Sequence, residues 1–99
     1  MVTHIVSWNF RPDVPEETRQ EVLKKLAEEF PKLKDKVPGV LRVETGMPPM
    51  DSSNADAALY VELEDEAALE GYRTHPDHLA VASIVRAHCQ ERRCTDFLV

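Results

Sequence analysis

Pro38-Gly39-Val40-Leu41-Arg42-Val43-Glu44-Thr45-Gly46-Met47, a polar interlude, and then Ala57-Ala58-Leu59-Tyr60-Val61-Glu62-Leu63 form the stretch that decides the fold. Pro38-Gly39 reads as a turn. From Val40 to Met47 the pattern alternates, which predicts a strand with Leu41, Val43, Thr45 and Met47 on its apolar face. Residues 48–56 hold two prolines, two serines, an asparagine and two aspartates, the composition of a loop. In Ala57–Leu63, Leu59, Val61 and Leu63 alternate against Tyr60 and Glu62, a second strand. Two strands in succession, with no helical spacing between them, are expected to pair antiparallel.

Working outward, Val2 to Phe10 also alternates, with Val2, His4, Val6, Trp8 and Phe10 on one face and Thr3, Ile5, Ser7 and Asn9 on the other. A helix is expected to open at Asp13-Val14-Pro15-Glu16: the aspartate as cap, the glutamate three residues on, and the proline where no N–H is needed. Val22, Leu23, Leu26, Ala27 and Phe30 recur at helical spacing, and Pro31 is expected to end the run. Downstream, Asp65 caps a short helix from Glu66 to about Thr74. His75-Pro76 starts another that reaches about Arg92, and Cys94 to Val99 is a last strand.

The order βαββαβ in 99 residues predicts one domain over residues 1–99 of the α+β class. Its architecture is ferredoxin-like: a four-stranded antiparallel sheet with helices on one face. The other face carries Ile5, Tyr60 and the neighbours of Thr45 across the pleat. Such a partly apolar open face is expected to meet a second copy, giving a homodimer by stacking of two sheets.

Composition narrows the function classes. A formal net charge of −6, without a basic stripe, argues against nucleic acid as a partner. No apolar run approaches a membrane span, and no basic-then-apolar opening suggests export, so a cytoplasmic protein is expected. Cys89 and Cys94, five residues apart, fit no zinc or redox spacing and read as reduced thiols. There is no Gly-rich phosphate loop and no nucleophile elbow.

Chemistry concentrates in Tyr72-Arg73-Thr74-His75-Pro76-Asp77-His78. A phenol and two imidazoles stand there at the mouth of a helix, where free N–H groups and the positive end of the dipole lie. Tyr and His are the side chains most readily used to move protons near neutral pH. His75 reads as an N-cap before Pro76, which leaves His78 as the chemical candidate. A His75-x-x-His78 metal pair is not expected, since His75 falls outside the helix and no third ligand is placed. Small side chains at Ala57, Ala58 and Ala82 leave room for a pocket. Leu23, Leu26, Leu59, Ile84 and Trp8 are its expected ligand-binding walls.

Val2–Phe10 with Arg11-Pro12-Asp13, then Pro38-Gly39-Val40, Ala58–Asp65, Leu69-Glu70-Gly71-Tyr72, His75-Pro76-Asp77-His78 and Thr95-Asp96-Phe97, resemble the stress-responsive α/β-barrel (Dabb) domain family. The resemblance covers nearly the whole chain and implies a dimeric α+β barrel. One plant member is a polyketide cyclase that closes a linear chain by aldol condensation without metal or cofactor. Its catalytic histidine and tyrosine match His78 and Tyr72, the histidine of its first strand matches His4, and the acid that orients its catalytic histidine matches Asp96. A further pocket histidine of that enzyme falls at Ala57, its alkyl-pocket aromatics at Leu23 and Leu26, and a late tryptophan at Cys89. The proton-moving set is thus kept and the substrate walls are not.

The resemblance implies a cofactor-independent enzyme on a small carbonyl or polyketide-like substrate, of aldol cyclase or isomerase type. His78, Tyr72, His4 and Asp96 would be its catalytic residues, with no cofactor and no metal. The alternative is a non-catalytic homodimer that binds a small amphipathic molecule or protects under stress, with His4 a satisfied core histidine.

Overall fold

The computed structural model describes residues 1–99. The chain runs β1 (Val2–Phe10), α1 (Glu16–Glu29), a 3-10 turn (Phe30–Lys32), α2 (Leu33–Lys36), β2 (Val40–Gly46), β3 (Ala57–Leu63), α3 (Glu66–Thr74), α4 (Pro76–His88) and β4 (Cys89–Leu98). The strands form one antiparallel sheet in the order β2-β3-β1-β4. This is the ferredoxin-like α+β arrangement that the βαββαβ order predicts.

The strongest alternations become the two central strands. In β1, Val2, Val6, Trp8 and Phe10 are buried; in β3, Leu59, Val61 and Leu63 are. They join Val22, Leu26 and Phe30 of α1 and its exit in one hydrophobic cluster, so the helices cover one face of the sheet. On the opposite face Ile5 stands across from Tyr60 and Thr95, and Thr3 from Phe97. Ile5 and Phe97 remain exposed there.

Three local expectations are corrected. Leu41 does not lie on the apolar face of β2: the register against β3 shifts between Val40 and Arg42, and Leu41 is left 42% exposed. The extra residue changes the phase, so Val40, Val43 and Thr45 face Leu63, Val61 and Leu59 instead. Asp13 does not cap α1. Pro15, in extended conformation, takes the cap position, and no side chain bonds the first free N–H groups. Arg19 braces this entry by donating to the carbonyls of Val14 and Arg11 at 2.9 and 3.1 Å.

The α-helix ends at Glu29, as Pro31 predicts, and Pro31 itself sits in the first turn of the 3-10 segment that leads into α2. Finally, α4 stops at His88 rather than near Arg92, and β4 begins at Cys89. Gln90 to Arg93 have side chains that suit a helix. Yet Gln90 and Arg93 pair with Asn9 and Ser7 of β1, and that ladder overrides local preference.

Gly39 joins α2 to β2 in the left-handed region (φ 85°), where a Cβ would come within 2.5 Å of Ala68 Cβ on α3. No helix is long and apolar enough to cross a membrane.

Candidate active site

The junction of α3 and α4 positions the site. The Asp65 carboxylate caps α3 by accepting the Ala68 N–H at 2.7 Å. His75, held extended by the proline that follows it, ends α3 and begins α4, and its Nδ1 accepts the Asp77 N–H at 3.1 Å. It is a cap, as its place before Pro76 predicts. This break places Tyr72, in the last turn of α3, against His78, in the first turn of α4, with ring centroids 4.4 Å apart.

His78 Nδ1 lies 3.2 Å from the Arg73 carbonyl. A carbonyl only accepts, so Nδ1 carries the proton and Nε2 keeps its lone pair. Burial pushes the pKa of His78 down, and the charges of His4, Arg92 and Arg86 push the same way, against the Arg73 hydrogen bond. At neutral pH the ring is therefore a neutral base. Tyr72 is fully buried, and its Oη has no hydrogen-bond partner. Burial drives its phenol well above the usual value, so it stays a donor.

His4 is on the helix-facing side of β1, 3% exposed, edge-on to Tyr72 with centroids 5.9 Å apart. Asp96 lies directly across from it on β4. The His4 Nδ1–H donates to Asp96 Oδ1, and the Cys94 thiol also donates to that oxygen at 3.5 Å. Burial opposes ionisation of Asp96, but the His4 hydrogen bond and charge, the thiol and Arg73 together hold its carboxyl below the usual range. The acid thus orients His4 and not His78, contrary to what the family pattern implies. The tautomer of His78 is set by a backbone carbonyl instead.

His4, Cys94 and Asp96 bring three metal-ligating atoms within 4.8 Å of one another. The imidazole and carboxylate are already spent on each other. Burial and the Asp96 charge raise the pKa of Cys94, which keeps it a thiol. The cluster suits a hydrogen-bonded network better than a cation.

His4 and His78 share a cavity of about 280 Å3 whose apolar wall includes Val6, Trp8, Phe30, Leu59 and Val85. Of the expected walls, Trp8 and Leu59 line it. Leu23, Leu26 and Ile84 do not: Leu26 is wholly buried in the core, and Leu23 and Ile84 pack against that core. The first helix turns these leucines toward the sheet because its inward stripe is needed to seal the core. Ala82 lines the cavity; Ala57 and Ala58 border a separate depression under the 48–55 loop, which has no ionisable side chain. Tyr72 is not on the wall but behind the two imidazoles.

Three charged lining residues were not anticipated, Arg73, Arg86 and Arg92, nor were the apolar Val6, Phe30 and Val85. Arg86 follows His78 and Ala82 at intervals of four on α4, a signal present in the sequence. Arg92 gave none, because it lies where β4 bulges. Between the pairs Ser7–Arg93 and Asn9–Gln90, β1 has one residue and β4 has two, with Glu91 at φ 56°.

The model of the stress responsive A/B barrel domain (Dabb) matches residues 2–99. The chain belongs to the Dabb family. This Dabb chain is also similar to a dimeric protein of unknown function with a ferredoxin-like fold from Bacteroides fragilis: 30% identity, TM-score 0.90, covering 97% of this chain and 93% of that one. A dimeric ferredoxin-like protein from Thermobifida fusca follows at 22% identity and TM-score 0.79, with 99% and 90% covered. A hydroxynitrile lyase from Passiflora edulis shares the fold at 13% identity and TM-score 0.77, with 99% and 92% covered. No curated protein matches the Dabb chain.

Proposed function

We propose that this Dabb protein is a cofactor-independent enzyme that moves a proton on a small carbonyl or polyketide-like substrate, as an aldol cyclase or isomerase does. His78 Nε2 takes the proton from the carbon next to the carbonyl. The Tyr72 hydroxyl, shut off from the cavity until the bound substrate shifts the imidazoles in front of it, donates to the carbonyl oxygen as negative charge gathers there. His4, fixed by Asp96, packs edge-on to Tyr72 and holds it in place. The observation that carries this reading is the coupling of a neutral His78, its Nδ1 committed to a backbone carbonyl, with a buried Tyr72 hydroxyl that has no partner in the protein. An unpaired buried hydroxyl costs about 1–3 kcal/mol, so a ligand oxygen that satisfied it would be favoured. A lyase on the same fold supports such chemistry on this scaffold.

The open sheet face, with Ile5, Tyr60 and Phe97, is the proposed homodimer interface, in keeping with the dimeric proteins of similar fold. Turnover of β-keto acids and aryl ketones by wild type, His78→Ala and Tyr72→Phe tests the assignment. Loss of at least about 10²-fold in kcat for His78→Ala is expected. Equal turnover by wild type and His78→Ala for every accepted compound would sink it.

A further inference from the structure

The ionisable residues of the cavity wall are His4, Arg73, His78, Arg86 and Arg92, without a single acid. This is unexpected in a chain with 18 acidic and 12 basic side chains. The ion pairs that the fold does make involve His4, Lys25, Lys32, Arg42 and His75; none of the three cavity arginines joins a carboxylate. Asp96, the acid beside the cluster, is taken by His4 and Cys94. Three elements converge to bring the guanidinium groups here: the end of α3, the row His78, Ala82 and Arg86 on α4, and the bulge of β4.

The rest of the wall is largely apolar, through Val6, Phe30, Leu59 and Val85, and it includes Trp8. Trp8 is 2% exposed, and its buried Nε1–H has no acceptor. Apart from the His78 Nε2 lone pair, the polar side chains open at the site are donors: three exposed guanidinium groups, the indole N–H and, behind them, the Tyr72 hydroxyl. A ligand that meets this set must bring acceptors and negative charge at one end and an apolar body at the other.

We propose that the cavity binds a small organic carboxylate with an apolar acyl or aryl body, its carboxylate among Arg73, Arg86 and Arg92 and its body against Trp8, Phe30 and Leu59. The inference rests on the proposed active site being this cavity and names its substrate class: an oxo acid, not a neutral ketone. The bound anion also offsets the arginine charge that His78 feels, so binding and basicity are linked.

Trp8 is the sole tryptophan, so its fluorescence reads the cavity directly. Wild type and an Arg86→Gln/Arg92→Gln variant are titrated with 3-phenylpropionate, with the isosteric 3-phenylpropionamide and with sodium sulfate, at low and at high salt. Both arginines are exposed and carry no ion pair, so the variant is expected to melt as wild type does. The acid should bind wild type at least about tenfold more tightly than the amide, the scale of a charge-assisted hydrogen bond. The double variant should lose that preference while its affinity for the amide stays within about twofold. High salt should weaken binding of the acid alone.

Equal affinity for acid and amide, or binding of neither, overturns the proposal. So does sulfate binding as tightly as the acid, which would make this a bare cationic patch. Turnover by His78→Ala is scored separately. A protein that turns over neutral ketones through His78 but ignores the carboxylate refutes the substrate class and leaves the proton-transfer reading standing.

Discussion

Replacing Tyr72 by Phe removes one oxygen and keeps the ring that packs on His78 and faces His4. The oxygen is wholly buried and bonded to nothing in the free protein. An unsatisfied buried hydroxyl costs about 1–3 kcal/mol, so its removal should stabilise the fold by about 1 kcal/mol. For a domain of this size that raises Tm by about 4–8 °C. The same change deletes the donor that would meet the developing oxyanion, so kcat should fall about 10²-fold. The two effects have opposite sign, which a purely structural tyrosine does not produce. Thermal melts by circular dichroism and steady-state turnover on one preparation measure both. A Phe variant destabilised by about 1 kcal/mol or more would mean that Oη is bonded in the folded protein and is not held open for a ligand.

Because burial and neighbouring cations lower the pKa of His78, its base form persists below the ordinary value of 6.5. A pH profile of kcat/KM should therefore stay flat through neutrality and lose about tenfold per pH unit only on the acid side of 6.5; an acid limb above 6.5 contradicts the assignment. The linked effect on stability has a definite sign. The unfolded chain protonates this histidine first as pH falls through 6.5, so the folded state loses stability there. Asp96, whose folded pKa is depressed, adds a second loss as pH drops from its ordinary 3.8 through the folded value, visible as a falling urea midpoint. Asp96→Ala should cost about 1–3 kcal/mol by leaving the buried His4 N–H without its acceptor, and Asp96→Asn should recover part of it; an unchanged urea midpoint for the alanine variant refutes the bond's contribution. Gly39→Ala should cost about 2–4 kcal/mol from backbone strain and the clash with Ala68, and adding Ala68→Gly should relieve the steric share only.

The sequence by itself determined the alternating strands, the βαββαβ order, the Asp65 cap and the His75-Pro76 junction. Each rests on chemistry within a few residues: side-chain period, a carboxylate three positions from a free N–H, a proline that fixes the backbone before it. His78 and Tyr72 were legible for the same reason, since both sit on one short junction. The open face and the pairing of His4 with the last strand followed from topology alone.

What escaped local reading was phase. In β2 an extra residue turned Leu41 outward, and in β4 a bulge put Cys89 and Cys94, an odd number of positions apart, opposite the core-facing Phe10 and Val6. That bulge also sets Arg92 beside His78, in a segment whose residues favour a helix until β1 offers them a ladder. Which neighbour Asp96 engages, whether Leu26 faces a ligand or the core, and how three arginines gather in an acidic protein were decided only by tertiary structure. Each depends on register between elements distant in the chain, and a shift of one residue inverts the face on which a strand side chain stands.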